Sequence, residues 1–214
     1  DVIKDFTPIA MIGRGPLMVV ANSELGFNSI QDLVKYTKAK PNGVNFCSAG
    51  QGSINHLAGE LFKQKTNLEM THVPYKGSGP AITDLISGQI QAMFMTIAAI
   101  KPYIDSGQVR ALATSGLTRT PSLPSIPTLN ESGLKGFSFE PWYGVFAPSK
   151  TPQKTLEQLN AAVNEALKNP ENQAKLAGQG LEVKPMTISQ FTAMVDADLA
   201  KWDKVIKRLN IKAD

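Results

Sequence analysis

The chain has 214 residues, 42% of them hydrophobic and 19% charged, the balance of an ordinary globular protein rather than a disordered or fibrous one. Its net charge is +4, but the 22 basic residues are scattered, with only short clusters such as Lys201, Lys204, Lys207 and Arg208, so no nucleic-acid partner is expected. One cysteine, Cys47, allows no intrachain disulfide, and no apolar run is long enough to span a membrane.

The opening "DVIKDFTPIAMIG" enters a strand almost at once and reads like the middle of a domain. It has no starting methionine, charged n-region or apolar h-region, so the expectation is that this chain carries no signal peptide, one having been removed or never having been there. Short apolar runs then alternate with helical patterns. Strands are expected at 16–22, 44–48, 70–75, 90–96, 109–115 and 144–148. Asn28 or Ser29 caps a helix reaching about Lys38. Ser53 caps 54–65, with Leu57, Leu61 and Phe62 facing inward. Ser78 caps a helix with Pro80 in its first turn and Gly88 at its end. A helix from about Ile97 to Asp105 carries Pro102, which shortens or kinks it. This alternation argues for βαβ units and a parallel or mostly parallel sheet.

Residues 116–141, rich in Pro, Gly and Ser, read as a long surface connection with one short helix at most. Two amphipathic helices follow. The first takes Thr151 as cap and Pro152 at its first position, with Leu156, Leu159, Val163 and Leu167 as its apolar stripe. The second opens with a capping box, Thr187 and Gln190. Phe191, Met194, Val195, Trp202, Val205, Ile206 and Leu209 line its buried side. The organisation expected is a first-lobe piece and crossing strand at 1–21, a second, α/β lobe at 22–137, and a return crossing with C-terminal helices at 138–214. Trp142 and Tyr143 lie on that return, as hinge core or as a cleft wall.

Three strand-to-helix junctions in the middle lobe are rich in hydrogen-bond donors: Ser48–Ser53, Lys76–Ser78 and Thr96. In a parallel sheet such junctions gather at the carboxyl ends of the strands, where helix N-termini offer free N–H groups to an anion. The same residues also serve as plain caps and tight turns. The glycines fit neither a P-loop nor a dinucleotide fingerprint. Cys47 lies in an apolar run and reads as a buried, inert thiol. His56 occupies a first helical turn and His72 a strand. Neither has the spacing of a metal ligand, and no cofactor is expected. Asp84, Asp105, Asp196 and Asp198 read as solvated helix residues. No nucleophile–base–orienter set can be assembled, so no enzyme is expected.

At "HVPYKGSGPAITDLISGQI" (72–90) the sequence resembles the extracytoplasmic solute receptors of the tripartite tricarboxylate transporters, the Bordetella uptake gene family. "VNFCSAGQGSINHLAGELFKQKTN", "VRALATSGLTRTPSLPSIPTLNESGLKGF" and "WYGVFAPSKTPQKTLEQLNAAVNEAL" resemble further family segments, and the match runs essentially from Asp1 to the C-terminal helix. The resemblance implies a two-lobed, type II periplasmic-binding-protein-like α/β fold whose first lobe is incomplete, because the family's N-terminal section is lacking. It implies a periplasmic monomer that closes on a small organic carboxylate and hands it to membrane transporter subunits. Carried over, Ser48, Ala49, Gly50, Gly52 and Ser53 form the second-lobe ligand loop, with Lys76 and Gly77 beside it. Thr96 sits where the family often has Asn or Ser after an acidic residue, and Met95 replaces that acid. Met95 is then expected to offer a soft apolar surface, favouring a carboxylate without an amine. The other reading left open is an effector-binding sensor domain or a thiol-dependent enzyme on a similar two-lobed scaffold.

Overall fold

The computed structural model of the chain describes residues 2–41, 43–209 and 211. It divides into two compact units, one on Asp1–Gly15 with Pro141–Arg208 and one built on Pro16–Glu140. A four-residue helix, α1 (Val2–Asp5), leads into β1 (Phe6–Arg14). The chain then enters the second unit through β2 (Leu17–Asn22), whose six residues are all buried. The strand expected at 16–22 is thus a fully buried one, which explains its lack of any polar alternation.

The second unit continues through α2 (Ile30–Ala39), β3 (Asn45–Ser48), α3 (Ile54–Thr66), β4 (Thr71–Pro74), α4 (Ser78–Ile86), β5 (Ala92–Thr96), α5 (Ile97–Asp105) and β6 (Val109–Thr114). Ser29 caps α2 by accepting the Asp32 N–H. α4 departs from expectation. Its cap is Gly77 at φ 103°, and Ser78 is already helical and makes no cap bond. The left-handed backbone there suits only glycine, so Gly77 rather than the serine sets where the helix begins.

The five strands are ordered β4-β3-β5-β2-β6. β3 runs parallel to β4 and β5, whereas β2 runs antiparallel to β5 and β6. Four strands therefore point one way and β2 alone the other, a mixed sheet in place of the mostly parallel one expected. A strand apolar on both faces reads alike in either direction, so the reversal leaves no mark in the sequence. One sheet face presents Met18, Val20, Cys47, Met93 and Met95 to Ala81, Ile82 and Leu85 of α4 and Ile97 and Ile100 of α5. The other carries Phe46 and Phe94 against α3, with Phe62 5.6 Å from Phe94.

Residues 116–141 are more than a surface connection, and no helix is assigned to them. Leu129, Phe137 and Phe139 are buried, and Thr128 bridges to Thr114 of β6. Buried Ser115 ties three segments together. Its Oγ accepts the Leu17 N–H at 2.8 Å and donates to the Phe139 carbonyl, while the Phe139 N–H returns to the Ser115 carbonyl at 2.9 Å.

In the first unit β1 pairs antiparallel with β7 (Trp142–Pro148), Arg14 opposite Trp142 and Phe6 opposite Pro148. α6 (Gln153–Lys168) covers β1, burying Leu156 with Ile9, Ala10 and Ala147. Thr151 does not cap α6. Pro152 takes that position without a side-chain bond. Leu159, expected in the stripe, is 40% exposed, and Asn160 turns inward instead to donate to the carbonyls of Ile9 and Met186. The sequence reading missed α7 (Pro170–Gly178), whose polar first turn is capped by Asn169 accepting the Glu171 N–H. α8 (Ile188–Leu209) has the expected box: Thr187 Oγ1 takes the Gln190 N–H and Gln190 returns to the Thr187 N–H. Only Phe191 on its apolar side is fully buried, the rest of that stripe being half-covered. Trp142 packs edge-on against Phe191 at 5.3 Å and donates to Asp198 at 2.7 Å, so Asp198 is a fixed acceptor rather than a solvated residue. Tyr143 is exposed.

Candidate functional site

Because β3, β4 and β5 are adjacent and co-directional, their carboxyl ends lie along one edge of the second unit, and α3, α4 and α5 all start there. That brings together the three junctions picked out in the sequence. The loops touch: Gly77 N–H donates to the Ala49 carbonyl at 3.2 Å, and Tyr75 N–H to the Ser48 carbonyl at 3.1 Å.

The loop 48–53 is held by its own hydrogen bonds. Ser53 caps α3, its Oγ accepting the His56 N–H and donating to the Gly50 carbonyl at 2.7 Å. Ser53 N–H donates to that same carbonyl at 3.2 Å. Ser48 is fully buried. Its Oγ accepts the Gly50 N–H and contacts the Gly50 carbonyl and His72 Nε2. Gly50 and Gly52 have φ of 140° and 72°, so glycine is required at both for its backbone conformation. The Ser48 and Ser53 hydroxyls are both engaged in hydrogen bonds, Ser53 within the loop and Ser48 within the loop and to His72. α3's first turn keeps the N–H groups of Ile54 and Asn55 without an intrahelical acceptor, Ile54 at the exposed start of the helix and Asn55 buried.

Lys76 is exposed on this edge, Gly77 half-buried, and Thr96 starts α5 with no side-chain cap bond. Met95 does not present the apolar surface expected of it. It is 4% exposed in the core beside Cys47, and its sulfur takes the Asn55 amide at 3.5 Å. Its place on a strand buried on both faces is the reason. Cys47 points the same way, toward the Ala81 carbonyl, and burial pushes its thiol up to about 12, leaving negligible thiolate at neutral pH. Asp84, read as solvated, accepts the Tyr75 hydroxyl at 2.6 Å.

Two residues that sequence reasoning treated as incidental belong to this edge. His56 and His72 stack beneath the loop, ring centroids 3.7 Å apart. Burial lowers His72 to about 4, helped by neighbouring His56 and Lys63. Burial also lowers His56, with Glu60 opposing and Lys63 assisting. Both are neutral at pH 7. Strand parity is the signal that could have found them: Phe46 and Ser48 share a face, and His72 is in register with Phe46. Among the described residues no three His, Cys, Asp or Glu side chains gather as a metal site. A separate cavity of about 540 Å³ between α2, the end of α3 and the Ser132–Lys135 turn carries Lys35, Lys38, Lys65 and Lys135, and none of the expected site residues.

This geometry sits in a chain with clear relatives. Protein BugT of Bordetella pertussis is 35% identical over 211 residues, covering 99% of this chain. The chain spans 63–65% of the length of the curated relatives it matches over nearly its whole extent with 34–35% identity. Among solved structures, R. palustris Rpa4515 with adipate superposes over 100% of this chain and 72% of its own, at 34% identity and a TM-score of 0.94. MatC (Rpa3494) from Rhodopseudomonas palustris with bound malate covers 94% of this chain and 69% of its own, at 29% identity and a TM-score of 0.85. These likenesses make the fold a periplasmic-binding-protein one with a mixed sheet. The profile of the tripartite tricarboxylate transporter family receptors, TctC, matches residues 1–211, so an edge of helix N-termini built on this sheet has its family: the chain belongs to the TctC receptors.

Proposed function

We propose that this protein is an extracytoplasmic, non-catalytic solute receptor, and that the β3–β4–β5 edge is the wall that holds a carboxylate of its ligand. The observation that carries the reading is the convergence of three helix N-termini on one strand edge, with no acidic side chain in the junctions 48–53, 76–78 and 96. Free first-turn amides and the positive ends of three helix dipoles favour an anion there, by roughly 0.3–2 kcal/mol for each contact. A ligand ammonium would find no charged acceptor in those junctions, and leaving it unpaired is costly. The ligand is therefore an organic mono- or dicarboxylate without an amine, in keeping with the adipate and malate of the two similar receptors. Met95, buried in the core, does not face this wall.

In this reading, capture follows closure of two lobes, the closed population rising by the ligand's differential affinity for it. The loaded receptor then meets transporter subunits in the membrane as a monomer. The test is a thermal-shift panel on the full-length gene product, confirmed by calorimetry. Adipate, malate and other amine-free acids should stabilise it more than aspartate or glutamate. Strong stabilisation by the amino acids with none from the amine-free acids would defeat the ligand assignment. Scattering that shows no compaction under saturating ligand would defeat closure.

A further inference from the structure

Beneath the loop lie two imidazoles that carboxylate binding, as proposed above, does not itself use. His56 (α3) and His72 (β4) stack with planes 8° apart, and Phe46 backs His72 at 5.0 Å. Their polar atoms run into the loop. Gly52 N–H donates to His56 Nδ1 at 3.1 Å, and His72 Nε2 lies 2.7 Å from the Ser48 Oγ that also takes the Gly50 N–H. Because Nδ1 of His56 accepts, it carries no proton, and the ring's hydrogen sits on Nε2. The charged groups facing the pair are both on α3. Glu60 Oε1 lies 3.9 Å from His56 Nε2, and Lys63 pairs with that same oxygen at 2.8 Å. β3 presents Phe46 and Ser48 to the pair, and β4 adds no charge beyond His72.

A protonated His56 would turn an N–H toward the Gly52 N–H. Two imidazolium rings at this separation would also repel. The Gly52 contact thus requires a neutral His56, and the stack disfavours a charge on both rings at once. We propose that His56 and His72 are positioning residues for the anion loop: a stacked pair in which neutral His56 takes up the Gly52 N–H and His72 pairs with the Ser48 hydroxyl, fixing the loop so that the first-turn amide of Ile54 is the donor a carboxylate meets. The proposal rests on the carboxylate-wall reading only for its ligand arm. The loop arm is tested on the free protein.

In the free chain, imidazole ¹⁵N spectra at pH 7 should show His56 unprotonated at Nδ1 and protonated at Nε2. The opposite tautomer, or a charged ring, overturns the proposal. His56→Asn keeps an acceptor where Nδ1 lies, whereas His56→Leu keeps bulk without one. Gly52 amide exchange should stay near wild type in His56→Asn and quicken about tenfold in His56→Leu. Equal exchange in the two variants means the ring only fills space, and overturns the proposal. Should His56→Leu not fold, the tautomer and the His56→Asn exchange decide. With adipate as the probe on the full-length gene product, His56→Leu should weaken binding about tenfold and His56→Asn less than threefold. Equal adipate affinity in all three proteins overturns the positioning role while leaving the receptor reading intact. If the free-protein results hold but no amine-free acid binds wild type, the receptor reading fails and the positioning of the loop stands.

Discussion

Gly59 lies where α3 crosses β3, and replacing it with alanine should destabilise the second unit despite alanine's better helix propensity. A Cβ at Gly59 would fall onto the Phe46 ring, closest to Cε2, with Cδ2 at 2.6 Å and Cζ at 2.9 Å. Phe46 is fully buried and held against His72, so the ring has nowhere to swing. Overpacking of this kind costs roughly 1–3 kcal/mol, and a pinned ring belongs at the upper end. Alanine in a helix interior returns about 1 kcal/mol relative to glycine. The expected net loss is about 2 kcal/mol, a fall of roughly 1 M in the urea midpoint. The probe must suit the unit. Trp142 and Trp202 both lie in the other unit, so tryptophan fluorescence should report an unchanged transition there. Amide exchange in α3 and β3 should report the loss. A Gly59→Ala protein as stable as wild type in those amides, or more stable, would refute the packing argument.

Ser115→Ala leaves the buried Leu17 N–H without its acceptor and removes the donor to the Phe139 carbonyl, so a loss of about 2–3 kcal/mol is expected by chemical denaturation. Gly77→Ala meets no atom within 4 Å, so its cost comes from backbone conformation alone, about 1–3 kcal/mol, with the start of α4 exchanging faster. For His72 the unfolded chain binds a proton that the folded one refuses between pH 6.5 and about 4. That part of the stability is complete above 6.5 and lost as pH falls toward 4. Melting temperature across that window should drop more steeply in wild type than in His72→Gln. Cys47 should react with a thiol reagent only once denaturant opens the unit, and fast labelling of the native chain would contradict its burial.

Elements with a strong period were legible in the sequence. The Ser53 cap, the Thr187–Gln190 box and the approximate places of β2 to β7 all follow from local chemistry that tertiary contacts reinforce. α7 was not legible, because a helix with no buried residue has no apolar stripe to read. Leu159 and Asn160 exchanged roles because the inward position is fixed by two carbonyls, Ile9 and Met186, brought in from distant segments. The site was legible as a set of junctions but not as a set of donors. Composition shows that Ser48 and Ser53 have hydroxyls. It does not show that the Gly50 carbonyl has already claimed them. The stacked histidines come from different elements, and only strand register reveals that they meet.

The lone reversed strand also bears on how the chain finds its fold. β3, α3, β4, α4 and β5 follow one another closely, and their parallel pairings close short loops. β2 is different: Val19 pairs with Phe94 on one side and Ala113 on the other, so this strand, made before both of its partners, has none until most of the unit has been made. Such pairings carry the larger loop-closure entropy and slow the search. Until they form, a six-residue run of "LMVVAN" is left without a sheet, with the β5 and β6 edges open on either side of its slot. The late step in folding is then insertion of β2 as a central stave, and the species before it is the one most exposed to aggregation and most in need of a holding chaperone.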